Sequence, residues 1–215
     1  MPDFRLYGIT DRSACGGEKA LLSRVSMLCR QGLRSIQLRE KDLPARDYYR
    51  LASAIRDITK QHGTLLFIND RVDVALACNA DGVHCREKSM PADEIRRLDG
   101  RLMIGRSVHS LQGAEQAAGE GVDFLLYGPV FEPGSKQGSV PTAGIDGLRK
   151  ICESVAVPVY AVGGIFPSNA GLCLAAGARG AAAVSALMAT VDSAQKTTSD
   201  PARIVTEFQQ ALGSL

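Results

Sequence analysis

The feature that most constrains the fold is a regular alternation between short apolar runs, typical of β-strands, and longer segments with helical periodicity. Strands that alternate with helices in this way pair in parallel through right-handed crossovers. Eight apolar runs occur in the 215 residues, at 5–10, 35–40, 64–69, 82–85, 102–108, 124–130, 157–162 and 180–184. Eight strand and helix units predict an α/β fold, a (β/α)8 TIM barrel, and we expect residues 1–215 to form a single domain.

A doubly wound open sheet is the alternative topology for alternating strands and helices. It usually contains fewer strands, and the Gly-x-Gly-x-x-Gly motif that often follows its first strand is not found in this sequence. The barrel is therefore the favoured architecture.

Two helices are indicated most clearly. The first covers residues 45–61, and its apolar positions are Tyr49, Leu51, Ile55 and Ile58. The second covers residues 201–212, where Asp200 is suited to cap the helix and Pro201 to occupy its first position.

Composition excludes several function classes. Apolar residues make up 45% of the chain, charged residues 22%, and the net charge of +2 offers no broad surface for nucleic acid. Six cysteines show no Cys-x-x-Cys spacing, so we expect reduced, mostly buried thiols and no zinc site. The richest apolar run, 180–188, is too short to span a bilayer. We therefore expect a cytoplasmic protein that acts on small molecules, binds neither membrane nor nucleic acid, and is compatible with a homo-oligomer.

Gln37, Arg39 and Lys41 stand at alternate positions after a buried run. On a β-strand alternate side chains project from the same face, so an amide and two cations would point the same way. This arrangement suits an anion, although a solvated strand end can produce it by chance.

In a TIM barrel the carboxyl ends of the strands form one rim, and active sites lie there. Polar or small residues follow most of the predicted strands: Gln37, Arg39, Lys41, Asn69, Asp70, Arg71, His84, Arg106, Ser107, His109, Lys136, Gly163, Gly164 and Ser185. Each has an ordinary explanation alone, such as a helix cap, a turn or a core histidine. Their convergence on one rim favours a functional site.

A phosphate site is expected where strands seven and eight end. Backbone N–H groups near a helix N-terminus commonly bind phosphate in barrels. Gly163 and Gly164 would leave the backbone accessible there, and Ser185 would add a hydroxyl group.

A second, more highly charged anion could be held by Arg39, Lys41 and Lys136, and Asp70 could hold Mg2+ beside it. Two anion sites on one rim indicate an enzyme that joins or rearranges phosphorylated metabolites.

Eight motifs, in this order, resemble the thiamine phosphate synthase and TenI superfamily. They are YGITD at 7–11, QLREK at 37–41, INDR at 68–71, GVH at 82–84, IGRSVH at 104–109, GPVF at 128–131 with Lys136, VGGI at 162–165, and VS at 184–185. A synthase of this family joins a hydroxymethylpyrimidine diphosphate to a thiazole phosphate, giving thiamine phosphate and pyrophosphate. The TenI branch contains thiazole tautomerases, which make a thiazole phosphate carboxylate aromatic by proton transfer.

The resemblance implies roles for individual residues. The pyrimidine diphosphate would be bound by Gln37, Leu38, Arg39, Glu40, Lys41 and Asn69, with Ser107 against the pyrimidine. Asp70 would bind the cofactor Mg2+. Arg39, Lys41 and Lys136 would be catalytic because they oppose the charge of the diphosphate and of the departing pyrophosphate. The thiazole phosphate would lie on Ser135, Gly163, Gly164, Val184 and Ser185.

The sequence departs from the synthase pattern after the fourth strand. Ser89 stands where the synthase has an aspartate that is a second Mg2+ ligand. Glu87 could substitute only if the loop were rearranged, whereas Arg86 and Lys88 add positive charge that could hold diphosphate with less metal.

Two further departures bear on the reaction. The Thr-x-Thr-Lys of the thiazole site is reduced to one hydroxyl and the lysine at 133–136, and the run 105–110 is closer to the TenI branch. Against a tautomerase, Pro129 replaces the histidine that transfers protons in TenI proteins, which leaves His84 and His109 as possible replacements. Three hypotheses remain: a synthase, a tautomerase, and a non-catalytic thiazole phosphate-binding or regulatory paralogue.

Overall fold

The computed structural model describes residues 2–132, 141–189 and 202–213. Its centre is a closed barrel of eight parallel strands in sequence order, in which β8 pairs with β1. The strands are β1 (Leu6–Ile9), β2 (Ser35–Leu38), β3 (Leu65–Asn69), β4 (Gly82–Cys85), β5 (Met103–Val108), β6 (Phe124–Tyr127), β7 (Val159–Val162) and β8 (Gly180–Ala183). The prediction of a (β/α)8 barrel is confirmed, and each of the eight apolar runs contains one strand.

Helices follow the strands and cover the outside of the barrel. Those described are α1 (Arg12–Cys15), α2 (Glu18–Arg30), α3 (Ala45–His62), α4 (Val72–Ala77), α5 (Ala92–Leu98), α6 (Leu111–Gly119), α7 (Gly144–Ser154), α8 (Pro167–Ala175), α9 (Ser185–Met188) and α10 (Ile204–Leu212). The described helices include none that is both long enough and apolar enough to cross a bilayer.

The sequence placed α3 well but misjudged one residue of its buried face. Tyr49 is 44% exposed, and Tyr48 is buried instead. Tyr48 lies three, four and seven residues before other buried positions of α3, which puts it on the face that meets the barrel. Its hydroxyl group donates a 2.7 Å hydrogen bond to the carbonyl oxygen of Leu38. The tyrosine therefore connects α3 to the end of β2.

The last helix begins at Ile204, three residues later than expected. Asp200 and Pro201 lie outside the described residues, so their capping role stays a prediction. Ile204, Val205 and Phe208 are buried in the hydrophobic core, as the helical periodicity indicated.

The barrel interior is filled mainly by aromatic rings. Phe4, Tyr7, Phe67, Phe124 and Tyr160 are fully buried there. The ring centroids of Phe4 and Tyr160 are 5.0 Å apart, and those of Phe67 and Phe124 are 5.5 Å apart with the rings nearly perpendicular. The edge-to-face contact between Phe67 and Phe124 adds to the hydrophobic stabilisation. The neighbouring strand positions Gly82 and Gly105 have no Cβ that would collide with Phe67 and Phe124.

All six cysteines are free thiols, and all but the partly exposed Cys152 are buried, which agrees with the expectation of mostly buried thiols.

We expect Phe124→Ala to lower the free energy of unfolding by about 3–5 kcal/mol, because truncation leaves a cavity among closely packed rings. The measurement is denaturant unfolding monitored by circular dichroism. Leu98→Ala is the control, since Leu98 is 58% exposed and its truncation should change stability by less than about 0.5 kcal/mol. Equal losses in the two variants would contradict this account of the barrel interior.

Candidate active site

The first rim residues come from the end of β2. Gln37 points into the barrel, where its amide nitrogen is 3.4 Å from the Tyr7 hydroxyl oxygen. The alternate spacing of Gln37, Arg39 and Lys41 had suggested that all three lie on the strand. The strand ends at Leu38, however, so Arg39 and Lys41 lie on the following loop. The Arg39 backbone N–H donates a hydrogen bond to the Thr10 hydroxyl oxygen at 2.9 Å, whereas within the strand such an N–H donates to a backbone carbonyl oxygen. Both cationic side chains are exposed at the rim.

Glu40 is buried and already has partners inside the protein. Its carboxylate accepts hydrogen bonds from the Thr10 hydroxyl at 2.7 Å and from the Arg12 N–H at 3.0 Å. Burial raises the pKa of Glu40, and these hydrogen bonds counteract part of that increase. The carboxylate therefore ties the loop after β2 to the loop after β1.

The Leu38 side chain is fully buried in the core that includes the outer helices. It offers no side-chain atom to a ligand at the rim, and its contribution is the carbonyl oxygen that anchors Tyr48.

A cavity of about 240 Å³ lies beside these residues and is here named the rim cavity. Its lining residues are Glu40, Lys41, Leu43, Tyr48, Asn69, Asp70, Arg71 and Arg86. The structure thus brings together four residues that the sequence assigned to the diphosphate and the metal: Glu40, Lys41, Asn69 and Asp70. Three cations line this cavity against two carboxylates, so it suits an anionic group.

Asp70 follows β3 in the left-handed backbone region, with φ of 65°. Its oxygen Oδ2 accepts a 2.7 Å hydrogen bond from the Arg86 Nε, and Oδ1 accepts one from the Ser89 hydroxyl. Burial acts to raise the pKa of Asp70, but these bonds and the Arg86 charge hold it below its ordinary value. Both carboxylate oxygens therefore have protein partners.

The described residues do not fit a ready-made Mg2+ site at Asp70. Across residues 2–132, 141–189 and 202–213, no group of three His, Cys, Asp or Glu side chains is placed to hold a metal ion. The Glu87 carboxylate lies against Gly113, at the position that a Cβ on that residue would occupy. The Ser89 hydroxyl donates a hydrogen bond to Asp70 and supplies no second carboxylate.

His84 lies inside the barrel, only 2% exposed, and its Nε2 is 2.9 Å from the Ser107 hydroxyl oxygen. Burial, followed by the charges of Arg39 and Arg106, lowers the pKa of His84 to about 3. The imidazole is therefore neutral near pH 7 and fixes the orientation of Ser107.

Arg106, expected at the rim, points away from it. Its guanidinium donates to the Met90 carbonyl oxygen at 2.6 Å and pairs with Glu120 at 3.1 Å. The reason is the alternation of side chains along β5, which sends the two neighbours of Arg106, Gly105 and Ser107, to the other face.

The glycines after β7 have positive φ angles, 96° for Gly163 and 63° for Gly164. A Cβ at Gly163 would lie 2.6 Å from the Pro129 Cα, and one at Gly164 would lie 2.8 Å from the Phe131 Cβ. Close packing against the loop after β6 therefore requires glycine at both positions, in addition to any approach by phosphate. Val184 follows β8 and Ser185 begins α9, and both residues are half-buried. Ser135 and Lys136 lie outside the described residues, so their roles stay predictions.

His109 precedes α6 by two residues and is exposed. Its Nδ1 is 2.7 Å from the carbonyl oxygen of Gly128, and because a carbonyl only accepts, Nδ1 carries the proton. The imidazole thus lies next to the Gly128–Pro129 peptide. Pro129 is the position at which the resemblance to TenI proteins implies a histidine.

The similarity to known proteins extends over almost the whole chain. The family model described as thiamine monophosphate synthase matches residues 6–187. The chain belongs to the thiamine monophosphate synthase family. A putative thiamine-phosphate synthase of Geobacter sulfurreducens is 47% identical over 196 residues, which cover 90% of this chain and 91% of that protein. The thiamine-phosphate synthase of Pyrococcus horikoshii is 41% identical, with 94% and 95% covered.

The solved structure of thiamine phosphate pyrophosphorylase from Pyrococcus furiosus superposes with a TM-score of 0.83 at 36% identity. The superposition covers 98% of this chain and 96% of that chain. Fold and sequence therefore place this chain in the same family.

Two members of the site escaped the sequence analysis. Tyr48 was hidden in a helix, and only the contact between α3 and β2 brings it to the rim cavity. Thr10 lies within the YGITD motif, but nothing in the sequence indicated that it connects Glu40 with Arg39.

We expect His84 to make the protein less stable as the pH falls. The folded state favours the neutral imidazole, so the unfolded chain binds more protons between the folded pKa of about 3 and the ordinary value of 6.5. Between pH 7 and pH 5 this difference should remove about 2 kcal/mol of stability, fully regained when the pH is raised. The measurement is urea unfolding at both pH values, with His84→Gln as the variant that loses this contribution. An equal acid loss in both proteins would refute the assignment, as would a His84 ring signal that titrates above pH 5 in nuclear magnetic resonance spectra.

Proposed function

We propose that this protein is a thiamine phosphate synthase, a transferase that joins hydroxymethylpyrimidine diphosphate to thiazole phosphate. The products are thiamine phosphate and pyrophosphate. The observation that supports this most is the cation-lined rim cavity at the end of β2 and β3, in a chain that belongs to the thiamine monophosphate synthase family.

The reaction breaks the bond between the pyrimidine methylene carbon and the diphosphate oxygen, and the electron pair leaves with pyrophosphate. The thiazole nitrogen then supplies its lone pair to form the new carbon–nitrogen bond. That nitrogen has no proton to lose, so no general base is needed. Negative charge grows on the departing oxygens, and cations placed beforehand stabilise it.

We expect residues at the ends of β2 and β3 to provide that stabilisation. Arg39 and Lys41 are exposed at the rim beside the cavity, and Asn69 lines it with an amide. Lys136, by its position in the family motif, would also act on the leaving group. Gln37 and Ser107, at the mouth of the barrel interior, would contact the pyrimidine.

The second substrate would lie across the rim. Gly163 and Gly164 would offer backbone N–H groups to the thiazole phosphate, together with Val184, Ser185 and Ser135. Leu38 and Glu40 support this site through the backbone and neighbouring loops, because their side chains are engaged within the protein.

Mg2+, which the resemblance implies, has the least support from the side chains. Asp70 would hold it only after losing its hydrogen bonds with Arg86 and Ser89. No step of the proposed reaction is therefore assigned to the metal.

We further propose that residues 1–215 form one barrel domain that acts in the cytoplasm on small phosphorylated metabolites. A homo-oligomer is compatible with this function.

We expect Arg39→Ala to lower kcat/KM for thiamine phosphate formation roughly 100-fold, because a cation facing the leaving group is lost. Pyrophosphate release in the presence of both substrates is the measurement. Arg34→Ala is the matched control. Arg34 is exposed, pairs with Asp3 and precedes β2, so it lies at the end of the barrel opposite the rim. A wild-type protein that forms neither product while binding thiazole phosphate would refute the synthase.

A TenI-like thiazole tautomerase is the second candidate. The specific observation in its favour is the hydrogen bond from His109 to the Gly128 carbonyl, which places an exposed imidazole next to Pro129. The ring Nε2 could accept and return a proton.

If the protein has tautomerase activity, His109→Asn should lower the rate of isomerisation of the thiazole carboxylate phosphate roughly 100-fold, because general acid and base catalysis is lost. Conversion is followed by nuclear magnetic resonance of the thiazole ring protons. His62→Asn is the control, because His62 is an exposed residue in the last turn of α3. Absence of isomerisation by the wild-type protein would remove this candidate.

A further inference from the structure

Three side chains from two loops form a closed hydrogen-bonded group at the rim, here named the Asp70–Arg86–Ser89 group. Arg86 donates from Nε to Asp70 Oδ2 at 2.7 Å and also pairs with that oxygen through Nη2. The Ser89 hydroxyl donates to Asp70 Oδ1 and accepts the Arg86 backbone N–H at 2.9 Å. Each member therefore holds the other two in position.

The group borders the rim cavity. Asp70 and Arg86 are both lining residues, beside Lys41 and Arg71. The Arg86 side chain is 63% exposed although it is anchored to Asp70 at one edge. A guanidinium has five N–H donors in a planar fork, and among the described residues Asp70 is bonded to Nε and Nη2, on one edge of that fork. Arg86 is thus anchored on one side and accessible on the other.

The charges of this group balance without a metal. A divalent cation held by two carboxylates carries no net charge, and the pair of Asp70 with Arg86 carries none either. Ser89 is uncharged and donates to Asp70, and Arg86 supplies the positive charge beside that carboxylate. Glu40, the other carboxylate at the cavity, is bonded to Thr10 and Arg12.

We propose that the Arg86 guanidinium takes the place of the divalent cation and binds the diphosphate group directly, so that the site binds diphosphate without metal. Asp70 is then a positioning residue for Arg86 and Ser89 a second one. A planar fork that reaches two phosphate oxygens at once suits a diphosphate better than a point charge does. The identity of the substrate that carries the diphosphate rests on the proposed function. Binding of the diphosphate group itself does not.

The first test is titration calorimetry of the full-length protein with inorganic pyrophosphate in buffer containing EDTA. The wild-type protein should bind, and Arg86→Ala should bind roughly tenfold more weakly because a charge-assisted contact is lost. Arg86→Lys should give an intermediate loss, since the charge stays but the fork is removed. Arg97→Ala is the matched control, as Arg97 is an exposed arginine paired with Glu94 on α5.

The second test restores the missing carboxylate. The double variant Arg86→Ala with Ser89→Asp should bind pyrophosphate at least roughly tenfold more tightly with Mg2+ than in EDTA, because two carboxylates then face one site. Electron paramagnetic resonance of Mn2+ gives a readout independent of activity. The double variant should bind Mn2+, and the wild-type protein should bind it at least roughly tenfold more weakly.

Two results would overturn the inference: pyrophosphate binding by the wild-type protein only when Mg2+ is present, or equal binding by wild type and Arg86→Ala in EDTA. A thiamine phosphate assay with and without EDTA separates this inference from the proposed function. Metal-free pyrophosphate binding without product under any condition would refute the synthase and leave the inference standing. Thiamine phosphate that forms only with Mg2+, together with no pyrophosphate binding in EDTA, would refute the inference and leave the synthase standing.

Discussion

The closed ring of eight parallel strands depends on the packing of aromatic rings inside it. Phe4, Phe67, Phe124 and Tyr160 occupy the interior at centroid distances of 5.0 to 6.0 Å, so the ring of strands encloses a solid core and not a channel. Glycines on neighbouring strands leave room for the rings. Above this layer, Gln37, His84 and Ser107 form the polar floor of the rim. The candidate site therefore lies directly above the aromatic interior of the barrel.

Two carboxylates at the rim are bonded to the protein itself. Glu40 joins the loops after β1 and β2, and Asp70 joins the loops after β3 and β4. A carboxylate with its lone pairs satisfied organises the chain, whereas a carboxylate with free lone pairs can bind a cation. Both carboxylates accept hydrogen bonds from protein groups, so the part of the rim that the structure describes presents cations to an anionic substrate and few free oxygens to a metal.

The sequence was a good guide where a pattern repeats. Eight apolar runs predicted eight strands, and the period of α3 predicted its length to within one residue. It was a poorer guide at boundaries and at single residues. Arg106 was expected at the rim because it lies near the end of the fifth predicted strand, but its position in the alternation along β5 directs its side chain outward to Glu120. Tyr49 was expected to be buried, but Tyr48 has the angular position that faces the barrel.

The site was predicted in the same uneven way. The motifs named most of the polar residues that the rim presents, because strand ends in a barrel must meet at one edge. They did not reveal that Arg86 and Ser89 close around Asp70, since that contact joins loops from different strands.

By itself, then, the sequence determined the eightfold alternation, the family and the presence of cations on one rim, because each follows from local periodicity or a contiguous motif. Only the tertiary structure decided which partners those charges find. The side chains of Arg39 and Lys41, which follow β2, are exposed at the rim, whereas Asp70 pairs with the guanidinium of Arg86 from the loop after β4. The physical reason is that an ion pair forms between groups brought within hydrogen-bond distance by folding, and the distance between loops is set by strand register and not by sequence order.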